Sequence, residues 1–451
     1  MAGGTFDPLA GKIRPGTYIN FESARRDVVG IGERGIVLIP LVSHSYGPAK
    51  RFITIDGFAP DAFKTMLGFS VYDDNPGMLL IREAFKNAST VIVYIPNQGA
   101  SATVTSGALT ATAMYGGSRG NDLKVSVTPN PVAGFDVTVF LGGAVVSNYQ
   151  GLATIEGLIA MNDSWITFSG TGALTAIAGV SLADGEDGTL VAGDITDFLD
   201  ASESIRWNTM AFPLDATGPS GASVPALYTA LASKIKYLRE SAGKYRKAVL
   251  PGYVANYEGI INVTNSVTLV GGVDLTAAQA TAWVAGKDAG ALNTQSNTYR
   301  TYVGAVGIVG QKNNAESEMA IINGEFFFSF SEQGEVIVEY DINSLTDFSP
   351  PKDKTYSKNR VIRVFDTFAE SLMLNFPPNR FNNDPVGWDI MEGIGRAILK
   401  QFLDAGVIKN VDYGNDFAVD RGKSSGDETY FNVGLEPADS AEKLFFTIKT
   451  R

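Results

Sequence analysis

The sequence predicts a multidomain protein of the α/β and α+β classes, and three observations carry that prediction. Apolar runs of strand length alternate with helical apolar spacing on both sides of a long insertion, the pattern of buried strands with covering helices. The insertion, at about 100–180, is rich in Thr, Ser, Gly, Ala and Val, thin in charge, and alternates apolar with polar residues, as a small β-sandwich does. Two capped amphipathic helices and short alternating strands then close the chain. The predicted organisation is an N-terminal arm at 1–26, the first part of the α/β core at 27–98, an inserted β-sandwich at 99–180, a central α/β domain at 181–343, an α+β C-terminal domain at 344–436 and a C-terminal arm strand at 437–451.

The arm at 1–26 holds Gly3, Gly4, Pro8, Gly11 and Pro15, which prevent a helix, and residues 17–21 then alternate like a short strand. It is either a loose terminus or a strand donated to a sheet elsewhere. Next comes a buried-strand run at 35–39, helical spacing at Leu80, Ile81, Ala84 and Phe85, and a second buried strand at 90–95 closed by Pro96 and Asn97. Within the insertion, Leu123, Val125 and Val127 and then Phe135, Val137 and Val139 mark two alternating strands.

A strand at 209–214, a helix capped by Ser223 with Leu227, Leu231, Ile235 and Leu238 on one face, and a strand at 246–252 make a crossover unit with a parallel pair. Thr276 caps a further helix that turns Ala280, Trp283 and Val284 inward, and 326–330 with 336–342 read as a hairpin. Beyond Ser344, helical spacing at 358–375 puts Val361, Phe365, Phe368 and Leu372 on one stripe. The last helix is punctuated by Asp384 at its N-cap, Pro385 in its first turn and Gly406 at its stop. Phe431, Val433 and Leu435, and then Leu444, Phe446 and Ile448, each mark one face of a strand. A strand pattern so close to a terminus predicts that something ties the terminus down, and a second copy of the same chain is the candidate.

Composition excludes several kinds of chemistry. There is no Cys and a single His, His44, so thiolate sites, disulfides and multi-histidine metal centres are out. A formal charge of −12 argues against a surface that wraps nucleic acid. No apolar stretch reaches the length of a membrane helix, and residues 1–10 lack the pattern of an export signal. The chain therefore reads as made in the cytoplasm. The 49 glycines among 451 residues fit many turns and β-meanders.

The remaining motifs fail on context. Gly30-Ile31-Gly32-Glu33-Arg34-Gly35 has dinucleotide-loop spacing but runs into a strand, where pyrophosphate binding needs a helix N-terminus. Gly422-Lys423-Ser424-Ser425-Gly426 spells a hydrolase elbow, yet charged loop residues flank it and His44 precedes it by most of the chain. Nor is it a phosphate-binding loop, since Phe417 stands where the leading glycine belongs. His44 reads as a surface or capped histidine, and Asp184, Glu186 and Asp187 as a plain acidic turn. No constellation is catalytic and no cofactor is expected.

Several stretches together resemble the contractile tail sheath proteins of phages, defective prophages and R-type bacteriocins. They are Arg14-Pro15-Gly16, Arg34-Gly35 with Ser45-Tyr46-Gly47-Pro48, Tyr115-Gly116-Gly117-Ser118-Arg119-Gly120-Asn121-Asp122, and Ile342-Asn343-Ser344-Leu345-Thr346. The resemblance spans the whole chain. It implies a central α/β domain called subtilisin-like by fold alone, with no proteolysis. It further implies a subunit that polymerises helically around an inner tail tube and contracts from a metastable extended state, driving the tube through a cell envelope. The subunits would be joined by arm strands carrying Thr17, Tyr18, Ile19, Phe21, Leu444, Phe446 and Ile448. Tube contacts would come from the last helix and the loop after it, with Lys400, Lys409, Asp412 and Asp416 as candidates. Further copies, the tube protein, a baseplate and a tail terminator would be the partners, and neither nucleic acid nor stable membrane insertion is expected. The particle would be released from the bacterial cytoplasm by lysis. An α/β hydrolase and a β-rich surface adhesin are the alternatives.

Overall fold

The computed structural model describes residues 2–4, 16–18, 34–57, 63–215 and 223–449. Two short N-terminal strands, β1 (Ala2–Gly4) and β2 (Gly16–Tyr18), pair in parallel. The core then begins with β3 (Ile36–Pro40), β4 (Phe52–Asp56), the short α1 (Lys64–Leu67), α2 (Pro76–Phe85) and β5 (Thr90–Tyr94). Asn75 caps α2 by accepting from the amides of Gly77 and Met78, and Pro76 opens its first turn.

The sandwich follows as β6 (Thr103–Ser106), β7 (Leu109–Ala113), β8 (Leu123–Pro129), β9 (Phe135–Leu141), β10 (Ala144–Leu152), α3 (Ile155–Ile159), β11 (Ile166–Ser169) and β12 (Ile177–Ser181). Its sheets run β10-β9-β8-β12 and β11-β7-β6. Val125, Val127, Val137 and Val139 of one sheet meet Leu109, Ala111 and Phe168 of the other in a separate core, so the period-2 pattern buries one face of each sheet.

The chain returns to the core through α4 (Ala192–Ala201), β13 (Thr209–Ala211), α5 (Val224–Glu240), β14 (Lys247–Pro251), β15 (Ile260–Val263), β16 (Ser266–Leu269), β17 (Val273–Asp274), α6 (Ala277–Gly290), β18 (Ala305–Val309), α7 (Asn314–Ile322) and β19 (Glu325–Phe326). Seven strands form one sheet in the order β19-β15-β14-β13-β3-β5-β4, parallel except for β4. Alternation decides which layer each residue joins. Val37 and Ile39 pack with Leu80, Ile81 and Trp283 of α2 and α6, while Leu38 packs with Phe198, Leu231 and Ile235 of α4 and α5. Such a sheet is covered on both faces, which is why its strands read as continuous apolar runs. Helices α2 and α6 lie so close that a Cβ on Gly286 would stand 2.4 Å from the Ala84 carbonyl oxygen.

Two sequence expectations shift here. The strand expected at 209–214 ends at Ala211. The hairpin expected from 326 splits instead: β19 joins the large sheet, while β20 (Phe328–Phe330) pairs with β21 (Val336–Val338). Phe326 and Phe328 are both buried, and a uniform apolar run cannot say that its two ends serve different sheets.

The C-terminal part comprises α8 (Asn359–Asn375), α9 (Pro385–Asp404), β22 (Ile408–Lys409), β23 (Phe417–Val419), β24 (Phe431–Val433) and β25 (Glu436–Pro437). Asp384 caps α9 on the Gly387 amide, and Gly406 follows in the left-handed region. Phe368, Ile398, Phe402 and Phe417 make its core. Gly395 is required there, since a Cβ would meet the Phe417 ring at 2.1 Å.

The apolar stripe of α8 is only half of its burial. Val361 and Phe368 are buried, Phe365 and Leu372 only partly, and a polar face of Asn359, Arg363, Asp366, Thr367 and Ser371 is buried as well. Arg363 reaches Asp288 of α6 at 3.0 Å, and Lys247 of β14 reaches the same carboxylate at 2.7 Å. Thr209 also donates to Asp288, Asn359 accepts from Lys247, and Asp341 accepts from Asn359. Arg239 of α5 grips Asp366 with two hydrogen bonds. This ionic seam locks α8 onto the central sheet. The segment Ile342–Thr346 is part of the same joint: Ser344 donates to the Tyr257 carbonyl, and Asn343 donates to that of Tyr356.

Candidate inter-subunit surface

The candidate inter-subunit residues of the C-terminal segment follow the last strands of the chain. After β24 the chain turns back so that β25 pairs antiparallel with β22, and the Ala438 amide donates to the Val407 carbonyl. Arg360 then donates to the Ser440 hydroxyl at 2.6 Å. Glu442 accepts from Ser296 at 2.7 Å and Thr298 at 2.8 Å, and its other oxygen pairs with Lys358. Burial alone would raise the Glu442 carboxyl, but Lys358 and the two hydroxyls outweigh it and hold the group below its usual range.

From Lys443 to Lys449 the chain is exposed. Leu444 is 67%, Phe445 91%, Phe446 83% and Ile448 87% accessible. The strand expected there does not form among the described residues: Leu444, Phe446 and Ile448 lie in a segment without a sheet partner among them. A strand needs a neighbour to satisfy its amides and carbonyls, and the described residues of this subunit offer none at that point. At the other terminus, Thr17 and Tyr18 fall within β2, whereas Ile19 and Phe21 lie outside the described residues.

Exposed sheet edges lie nearby in sequence. The pair β23–β24 is only two strands wide, with Tyr430 and Val433 exposed at its rim, the kind of edge that accepts a further strand. On α9 the solvent side carries Val386, Ile390, Gly393 and Ala397 and ends in an ion pair between Lys400 and Asp404. Lys409 pairs with Glu436 across β22–β25. Asp412 and Asp416 come together in one turn, where the Asp416 carboxylate accepts from the Asp412 amide, and Asp412 from Gly414 and Asn415. Asn415 and the Gly414 amide hold the Asp412 carboxyl below its usual range.

The loops that resembled sheath landmarks fasten the sandwich to the core. Arg119 donates to the Gly68 carbonyl, pairs with Asp122 and covers the Phe69 ring at 4.1 Å. Asp187 accepts from the Ser118 amide and hydroxyl, and Ser45 accepts from the Gly188 amide. His44 belongs to this joint too, and of the surface or capped residue its turn-like context predicts, the surface half fails: it bonds to backbone at Tyr46 and Leu67. It is buried edge-on against Phe69, and burial lowers its pKa. Sequence could not supply this, because Phe69 and Arg119 approach from distant parts of the chain.

The apparent elbow is an exposed turn between β23 and β24 in which Ser424 is buried. Its hydroxyl accepts from the Tyr430 amide at 3.0 Å, so it is occupied structurally. Among the described residues, no group of three or more acidic or histidine side chains is placed to hold a metal ion, and no helix is long and apolar enough to cross a membrane. The sequence reading missed the anchor made by Glu442, Lys358, Ser296 and Thr298. One signal was available, in that Glu442 is the last acid of a tail whose later charges, Lys443, Lys449 and Arg451, are all basic.

Three family models match the chain: the phage tail sheath protein beta-sandwich domain at 97–187, the central domain at 188–344 and the phage tail sheath C-terminal domain at 351–451. The phage-like element PBSX protein XkdK of Bacillus subtilis is 34% identical over the full length of both chains. The crystal structure of a sheath tail protein from Desulfitobacterium hafniense superposes with a TM-score of 0.83 at 38% identity, covering 95% of this chain and 98% of that one. A sheath tail protein from Listeria innocua gives 0.76 at 35% identity, over 93% and 95%. The contracted helical sheath of the anti-feeding prophage shares the fold at a TM-score of 0.56 and 11% identity, over 98% and 100%.

Proposed function

Because this chain belongs to the phage tail sheath family, we propose that its two termini are the strands by which it joins its neighbours. The protein is a structural subunit of a contractile tail sheath. In our reading the C-terminal arm, through Leu444, Phe446 and Ile448, and the N-terminal arm, through Thr17, Tyr18, Ile19 and Phe21, add strands to the C-terminal domains of adjacent copies, with the β23–β24 edge as acceptor. One observation carries this: four large apolar side chains stand in solvent immediately after an anchored residue. Main-chain hydrogen bonds to an open edge would supply affinity, and pockets for alternate side chains would supply register. Such a contact is heterologous, so it propagates as an open helix.

Contraction then needs no nucleotide. If the contracted lattice buries about 300 Å² more apolar surface per subunit, it gains roughly 7 kcal/mol before entropic and polar costs. The lattice would surround an inner tube and engage a baseplate and a tail terminator, in a particle assembled in the bacterial cytoplasm and released by lysis. The likeness of the central domain to subtilisin would be one of fold only. Purified full-length chain should form tubes of one repeating geometry under negative stain, and discrete subunits at every concentration would overturn the reading.

For the tube-facing surface we propose α9 and the turn after it. Reversing Lys400 and Lys409 together to Glu should weaken co-sedimentation with tube protein about tenfold, with a smaller effect at high salt. Binding unchanged by the reversal would remove the assignment.

A further inference from the structure

The C-terminal segment changes character at one residue. Up to Glu442 it is held to the body, by β25, by Arg360 on Ser440 and by the ion pair of Asp439 with Lys358 at 3.6 Å. From Lys443 to Lys449 every residue is exposed. The Glu442 side chain is itself only 8% accessible, and both its oxygens are engaged. Its partners are tied to the core. Lys358 is the N-cap residue of α8 and lies over the Tyr340 ring at 4.6 Å. The Thr298 hydroxyl also accepts from the amide of Asp341, a member of the buried ionic seam.

We infer that Glu442 is the positioning residue of the C-terminal arm: seated on Lys358, Ser296 and Thr298, it fixes where and in which direction the arm leaves its own subunit. The inference rests on the arm reading above and sharpens it. The exchanged arm is residues 443–451 and not the whole of 437–451. Nine residues reach at most about 30 Å when extended, so the anchor limits which edges on a neighbouring copy the arm can meet. With the anchor lost, the free tether would begin after Ser440, which Arg360 still holds, lengthening the arm and scrambling its exit direction.

The test uses the full chain with Glu442→Ala, Glu442→Gln and the charge swap Lys358→Glu/Glu442→Lys. Glu442→Ala should leave the melting temperature unchanged. It should speed proteinase K cleavage within 441–443 about tenfold, the scale of one lost charge-assisted hydrogen bond, and raise the critical concentration for tube formation several-fold. Glu442→Gln should fall between, and the swap should move both readouts back toward the parent. Parental cleavage and parental assembly in Glu442→Ala would overturn the inference, as would a swap no better than the alanine variant. A chain ending at Glu442 separates the two levels. Tubes from that truncation would remove the arm reading itself, whereas no tubes from it together with normal Glu442→Ala tubes would remove only the anchor.

Discussion

A chain ending at Glu442 is expected to fold as stably as the parent and to form no tubes. The removed segment contributes almost nothing to the isolated subunit, since Leu444, Phe445, Phe446 and Ile448 are all largely exposed and exposed apolar groups stabilise little. In an assembly the same side chains would leave water against a neighbour. Full burial of each contributes roughly 1.5–3 kcal/mol before the cost of ordering the arm. Loss of that term from every contact in a helical lattice should move assembly out of the accessible concentration range. Thermal melting and negative-stain microscopy of the truncated chain decide the matter, and normal tubes would refute the exchange of the C-terminal arm.

The second large effect is expected from Asp288→Asn. Asp288 is buried and counters Lys247 and Arg363 together. Burial would raise its carboxyl, but Lys247 and Arg363 outweigh this and hold it well below the usual carboxylate range. Removing the charge leaves two buried cations short of a partner, at a cost of roughly 3–5 kcal/mol. The midpoint of urea unfolding should fall accordingly, and an unchanged midpoint would show that the seam is not stabilising. The sign with pH follows from the depressed pKa. The contribution is fully present above the unfolded carboxylate value of about 3.9 and is lost as pH falls below it toward the folded value. Asp288→Asn should therefore flatten the acid limb of the stability profile.

Most of the elements were legible in the chain itself. Asp384, Thr276 and Ser223 cap helices as their residue types and spacing indicate, because a cap is a local contact between a side chain and an amide three residues on. The strands of the large sheet read as apolar runs because both of their faces leave water. The candidate surface was legible only in part. Leu444, Phe446 and Ile448 alternate as in a strand, yet among the described residues no strand pairs with them, so the pattern is in the sequence while a partner is not. The anchor was illegible, since Glu442 meets Ser296 and Lys358 across separations of 146 and 84 residues.

What the sequence by itself determined, then, is which apolar faces of the core strands and helices leave water and where helices start and stop, both consequences of short-range spacing. What only the tertiary structure decided is what those residues leave water against. The polar face of α8 is buried because β14 and α6 bring Lys247 and Asp288 to it, at separations of 112 residues from Asn359 and 75 from Arg363. His44 is buried because Phe69 closes over it. Phe326 and Phe328, whose rings touch, pair in different sheets because β19 ends and β20 begins between them. Periodicity records that a face is covered and carries no information about its cover, which long-range packing alone supplies.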